Sequence, residues 1–233
     1  MRKTTALLGW MLLLAGCQQS QVDKVIERLP DPLVQGPAAP AAARPAAPRP
    51  KPQPKPAPRR PTSTDAAAYR RRGWIPARGI SPRWRCVVIH HSATCVGGAK
   101  RFDTFHRNVR GWDELGYHFV IGNGTDTPDG TIEVGSRWTK QKHGAHCKTP
   151  DNFYNDHGIG ICLVGDFESG PPSAKQIASL IGLLEFLVEY AKIRPEQIST
   201  HGRVTGKTSC PGKHFPYHEV KRRLARQIWA ASN

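Results

Sequence analysis

Cys86-Val87-Val88-Ile89-His90-His91 is an uncharged run of strand length, β-branched at its centre and ending in two imidazoles. Such a run reads as an interior strand covered on both faces, because a half-exposed strand would alternate polar with apolar residues. Ile159–Val164 (IGICLV) has the same character and reads as a second interior strand. Between and beyond them lie patterns of a different period. Phe102, Phe105, Val109 and Trp112 recur at spacings of three and four, which predicts a helix over residues 99–112 lying on the sheet.

Working outward, Tyr117–Ile121 and Thr131–Val134 read as paired strands. The turn-rich Gly122–Gly130 between them is too long for a two-residue hairpin. Pro172, Ser173 and Gln176 have the spacing of a capping box, followed by a stripe of Ile177, Leu180, Ile181, Leu184, Leu187 and Val188. A basic helix is expected over Tyr217–Trp229. The fold class that follows is α/β, a central mixed β-sheet flanked by helices in a single domain.

That domain does not fill the chain of 233 residues. Composition changes near residue 75, and the division expected is 1–16, 17–75 and 76–233. Residues 36–61 are nearly all Pro, Ala, Lys and Arg, with no apolar face to bury, and read as an extended linker. At about 3.1 Å per residue, roughly 26 such residues reach about 80 Å. The formal charge is +16, of which residues 1–72 hold +9, from 13 Lys and Arg against four Asp and Glu. A basic balance allows nucleic acid, an anionic membrane or an acidic polymer as partner. No aromatic residues interleave with the linker's charges, which argues against nucleic acid.

Arg2 and Lys3 precede an apolar run from Ala6 to Ala15, too short to span a bilayer but suited to a signal peptide. Leu14-Ala15-Gly16-Cys17 resembles the lipobox of bacterial lipoproteins. That resemblance implies export, acylation of Cys17 and attachment to a membrane. Gln18 stands where Asp would mark inner-membrane retention, which implies the periplasmic face of the outer membrane in a two-membrane bacterium.

Hydrolytic zinc needs three protein ligands, usually His, Cys or carboxylate, and one open position. His90 ends the first strand, and His201 and Cys210 flank a short loop in Thr200-His201-Gly202-Arg203-Val204-Thr205-Gly206-Lys207-Thr208-Ser209-Cys210. These segments, with Gly116-Tyr117-His118-Phe119 and Gly158-Ile159-Gly160-Ile161, resemble the type 2 N-acetylmuramoyl-L-alanine amidases and peptidoglycan recognition proteins over about residues 84–224. Four motifs in the right order carry the resemblance, where any one alone would be weak.

The resemblance implies zinc (Zn²⁺) held by His90, His201 and Cys210, and hydrolysis of the bond between N-acetylmuramic acid and L-alanine in peptidoglycan or its fragments. It implies a catalytic role for Tyr117. It points to Thr208 as oxyanion stabiliser, but an extra residue between His201 and Cys210 leaves the choice between Thr208 and Lys207 open. It makes His146 and Asn155 groove residues that touch substrate. Some family members carry a glutamate general base where this chain has Cys162. Receptors of this fold typically lack the third ligand, and Cys210 is present. A purely structural wall-tethering lipoprotein would leave the two histidines and the cysteine without a role. His91, by strand alternation, is expected on the opposite face of the sheet from His90. With Cys17 given to lipid and Cys210 to metal, Cys95 and Cys147 are expected to form a disulfide, Cys86 and Cys162 being strand residues. A monomer is expected.

Overall fold

The computed structural model describes residues 68, 69 and 72–232. The expected signal peptide, Cys17 and the Pro/Ala-rich linker lie outside the described residues. The elements follow the order β1 (Cys86–His91), α1 (Ala99–Asn108), β2 (Phe119–Ile121), β3 (Ile132–Val134), α2 (Ser136–Thr139), α3 (Phe153–Asp156), β4 (Gly158–Leu163), α4 (Ala174–Tyr190), a single 3₁₀ turn (Pro195–Gln197), β5 (Ile198–Thr200), α5 (His201–Thr205) and α6 (Tyr217–Ser232).

The five strands form one sheet in the order β3-β2-β4-β1-β5. β4 runs parallel to β1 and β2, β5 runs parallel to β1, and β3 alone is antiparallel, paired with β2. The sheet is therefore mixed, and its two central strands are the apolar runs Cys86–His91 and Gly158–Leu163. Every residue of β4 is buried, because helices cover both faces. This is why β4 is apolar throughout and β1 is apolar up to its two terminal histidines.

Period-two alternation sorts these strands into two faces. Val87 and Ile89, Phe119 and Ile121, and Ile159, Ile161 and Leu163 join the main core with Leu180, Leu184 and Leu187 of α4 and Val220 and Leu224 of α6. Val120, Cys162 and Val164 point the other way, into a small cluster with Phe102 of α1 and Leu115. His90 stands level with Cys162 in the β1–β4 register. The thinly covered face is where polar side chains can be held at the ends of rigid strands.

α4 starts where its sequence predicts. Ser173 Oγ accepts from the Gln176 backbone N–H at 3.0 Å, and Gln176 Oε1 accepts from the Ser173 N–H at 3.1 Å, a reciprocal cap. Gln176 Nε2 also donates to the Val164 carbonyl at 2.8 Å, tying the helix start to the chain just beyond β4.

The expected helix over 99–112 is shorter. α1 ends at Asn108, and the residues it buries are Phe102 and His106, four apart. Phe105 and Val109 are 44% and 67% exposed, so the face that meets the sheet is rotated from the one the apolar spacing suggests. Two elements at the site, β5 and α5, were not anticipated from the sequence.

Candidate metal centre

His90 is fixed by β1 and is 1% exposed. β5 delivers the chain from the sheet straight into α5, whose first residue is His201. Thr200 caps that short helix, its Oγ1 accepting from the Arg203 N–H at 3.4 Å. Gly206, in the left-handed region at φ +64°, ends it. The chain then folds back, and the Gly202 N–H donates to the Cys210 carbonyl at 2.7 Å. This closure requires glycine at 202. A Cβ there would collide with the Thr208 carbonyl oxygen and stand 3.0 Å from that of Cys210.

These local constraints bring together side chains 120 residues apart. One donor atom from each of His90, His201 and Cys210 lies within 4.8 Å of the other two. Cys210 Sγ is 3.9 Å from His90 Nδ1. Ligand atoms sharing one tetrahedral zinc at bond lengths of about 2.0–2.3 Å stand about 3.3–3.6 Å apart. Two imidazoles and a thiolate are donors zinc accepts, and three protein ligands leave its fourth position open. The donor types and their proximity fit zinc, and the atoms need to draw in by about an ångström or less per donor to share it.

Burial, then the neighbouring His146, His201 and His91, hold His90 well below the usual histidine pKa. Burial, then His91, lowers His201. Both rings are thus neutral near pH 7, the form that can donate a lone pair to a metal. Burial raises the Cys210 thiol to about 11, so binding a cation there displaces a proton.

Tyr117 lies beside this cluster, its ring centroid 5.4 Å from that of His90 and 5.8 Å from that of His106. Burial, then the Cys162 and Cys210 thiols, push the phenol well above its usual pKa, and its hydroxyl meets Cys162. It is therefore a protonated donor at neutral pH. An open cleft of about 490 Å³ adjoins the cluster, bordered by His146, His201, Lys207 and Thr208 among others. Thr208 and Lys207 are both exposed. The Thr208 Oγ1 accepts from the Cys210 N–H at 3.1 Å, which keeps its hydroxyl next to the third ligand while its own proton remains free to donate.

His146 and Asn155 border the same cleft but are buried. Asn155 Oδ1 accepts from the backbone N–H groups of both His146 and Cys147, each at 2.8 Å, and its Nδ2 donates to Asn152 Oδ1. Asn155 is a brace for the loop that carries His146. His91 faces the other way, as alternation requires, with its ring 5.9 Å from that of Phe167 and its Nδ1–H donating to the Pro211 carbonyl.

The expected Cys95–Cys147 bridge is not formed. Cys147 carries a free, buried thiol, as do Cys86, Cys162 and Cys210. The reason is burial: Cys147 is 1% exposed, its backbone N–H is held by Asn155 Oδ1, and burial raises its thiol to about 11. Two buried histidines beside the cluster were not anticipated. His106 Nδ1 accepts from the Gly116 N–H at 3.0 Å, and its ring lies 4.6 Å from that of Trp112. His118 Nδ1 accepts from the Gly160 N–H at 2.9 Å, and Nε2 faces the Lys142 carbonyl at 3.1 Å. The four-residue step from Phe102 to His106 was the available signal for the first.

A family profile described as N-acetylmuramoyl-L-alanine amidase matches residues 81–213, more than half of the chain and all three candidate ligands. The chain belongs to the N-acetylmuramoyl-L-alanine amidase family. Among family relatives, peptidoglycan-recognition protein SC2 of Drosophila simulans is 30% identical over 143 residues, covering 58% of this chain and 71% of that protein. An N-acetylmuramoyl-L-alanine amidase of Sus scrofa is 27% identical over 137 residues, which make up 54% of this chain and only 21% of that longer protein. Among solved structures, the N-acetylmuramoyl-L-alanine amidase LysC from Clostridium intestinale superposes with a TM-score of 0.53 at 30% identity, covering 63% of this chain and 89% of that one.

Proposed function

We propose that this chain is a zinc-dependent hydrolase of the amide bond between N-acetylmuramic acid and L-alanine in peptidoglycan or its fragments. The observation that carries the reading is the convergence of His90, His201 and Cys210, with His201 on the wall of an open cleft. A zinc ion held there supplies a hydroxide-like nucleophile at neutral pH and Lewis acidity toward the scissile carbonyl. The protein's part is to hold that chemistry against the substrate. Tyr117, protonated and facing the cluster, donates a hydrogen bond to the oxyanion that develops on the carbonyl. Thr208 donates a second from the ligand loop, its hydroxyl fixed by the Cys210 N–H. Lys207, on the same rim, adds positive charge where negative charge accumulates.

Cys162 stands level with His90 and is fully buried, its thiol raised far above the neutral range by burial. It cannot act as a general base at pH 7, which leaves proton handling to the nucleophile itself and to Tyr117. A receptor that binds peptidoglycan without cutting it would leave the Cys210 thiol beside two neutral imidazoles with nothing to do. In the same reading, acylation of Cys17 and the linker up to residue 75 carry the domain from a membrane to the wall.

The test is incubation of the purified chain with defined muropeptides, with and without a zinc chelator. The expected products are a peptide with a free L-alanine amine and a muramic acid with a free lactyl carboxylate, lost on chelation and regained with zinc. Intact muropeptide at every zinc concentration refutes the reading.

A further inference from the structure

We propose that His146 is a positioning residue for the metal ligand His90, holding its ring through the nitrogen that faces away from the metal, and is not a contact to substrate. The proposal rests on the zinc reading above. His90 Nε2 lies 3.1 Å from His146 Nδ1, while His90 Nδ1 is the atom that approaches Cys210 Sγ. His146 Nε2 in turn lies 3.2 Å from the Gly158 carbonyl oxygen. A carbonyl only accepts, so His146 carries its proton on Nε2 and presents a lone pair at Nδ1. His90 must then donate from Nε2, which leaves its own lone pair on Nδ1, pointed at the other two ligands. One carbonyl at the start of β4 thereby sets the tautomer of a ligand two hydrogen bonds away. Both ring nitrogens of His146 are engaged within the protein, and neither is left for a substrate.

Three further features fix the ring. A Cβ on Gly160 would stand 2.5 Å from His146 Cγ, and one on Gly144 would stand 2.7 Å from its Nε2. These two glycines form a slot that no larger residue permits. The loop backbone at His146 is held by Asn155 Oδ1 at 2.8 Å. Burial shields the His90–His146 contact from competing water. An imidazole ligand can otherwise rotate about its Cβ–Cγ bond, and outer partners of this kind typically govern metal affinity by about 10–100-fold.

The test is zinc affinity of the purified full-length chain, by competition with a chromophoric chelator, beside kcat and KM on a muropeptide at saturating zinc. His146→Asn keeps an acceptor at the position of Nδ1 but loses the Gly158 contact. His146→Gln does the reverse. We expect His146→Ala and His146→Gln to bind zinc about 10–100-fold more weakly, and His146→Asn to stay within a few-fold of the unaltered chain, with KM unchanged in all three. Equal zinc affinity in His146→Gln and the unaltered chain overturns the proposal, as does a His146→Asn protein that falls as far as His146→Gln. A raised KM with unaltered zinc affinity returns His146 to the substrate. An unaltered chain that binds no zinc refutes the hydrolase reading first, visible before any variant is compared, and removes this proposal with it.

Discussion

Gly160→Ala adds one methyl group to the middle of β4, and the structure sets the size of the consequence. The new Cβ would stand 2.5 Å from His146 Cγ and 2.8 Å from its Nε2. Non-bonded carbons are comfortable at about 3.5 Å or more, so one partner must retreat by about 1 Å. The strand cannot, because Gly160 is hydrogen-bonded to His118 twice, through its N–H to Nδ1 and through its carbonyl to the His118 N–H. The imidazole must move, and a shift of about 1 Å carries the 3.1 Å contact with His90 beyond hydrogen-bonding range. A buried N–H left without a partner costs about 1–3 kcal/mol, equivalent to about 5–150-fold in zinc affinity at about 1.4 kcal/mol per decade. Overpacking separately lowers the stability of the zinc-free fold by about 1–3 kcal/mol. The assay is a chelator competition for zinc alongside denaturant unfolding of the zinc-free protein. Unfolding separates the two costs. A Gly160→Ala protein that binds zinc as tightly as the unaltered chain refutes the argument that the slot around His146 governs the metal.

Tyr117→Phe removes a hydrogen-bond donor and no metal ligand, so kcat should fall by about 10²-fold or more while zinc content stays at one per chain, measured by elemental analysis. Thr208→Val should lower kcat by a similar factor with KM little changed, and Lys207→Ala should do less. A larger loss for Lys207→Ala would assign the oxyanion to the lysine. For Glu114, burial alone would raise the carboxyl, but hydrogen bonds from Lys140, Ser136 and Lys142 outweigh it and hold it at about 2, below its usual 4.5. Its contribution to stability is therefore complete above about pH 4.5 and lost as pH falls toward 2. The thermal midpoint should drop across that window, and Glu114→Gln should flatten the drop. An unchanged acid profile in the variant would contradict the assignment.

The central strands were legible because burial on both faces erases polar alternation and leaves an uninterrupted apolar run. α4 was legible because its cap is local, Ser173 and Gln176 being three residues apart and each satisfying the other's backbone. β5 and α5, at three and five residues, are too short for any periodicity to register. They form because Thr200 caps the helix and Gly202 allows Cys210 to fold back over it, contacts that exist only once the chain has returned to the sheet. The face α1 buries was misjudged for a related reason. Phe105 and Val109 have apolar spacing, but the thin layer over the site selects Phe102 and the polar His106 instead. The part of His146 in the site lies in which atoms its two nitrogens meet, and both partners come from other segments. The sequence placed it near the chemistry through resemblance alone. The Cys95–Cys147 expectation failed because loop membership says nothing about which way a thiol points, and Cys147 is buried.

The central claim is that His90, His201 and Cys210 hold one zinc ion that the amide hydrolysis requires. Its most direct measurement is zinc content of the purified chain and of His90→Ala, His201→Ala and Cys210→Ala, each paired with release of L-alanine-terminated peptide from a muropeptide. The account predicts one zinc per unaltered chain, and loss of both metal and peptide release in every variant. Peptide release that survives removal of any one of the three side chains, or an active chain that holds no zinc, contradicts it.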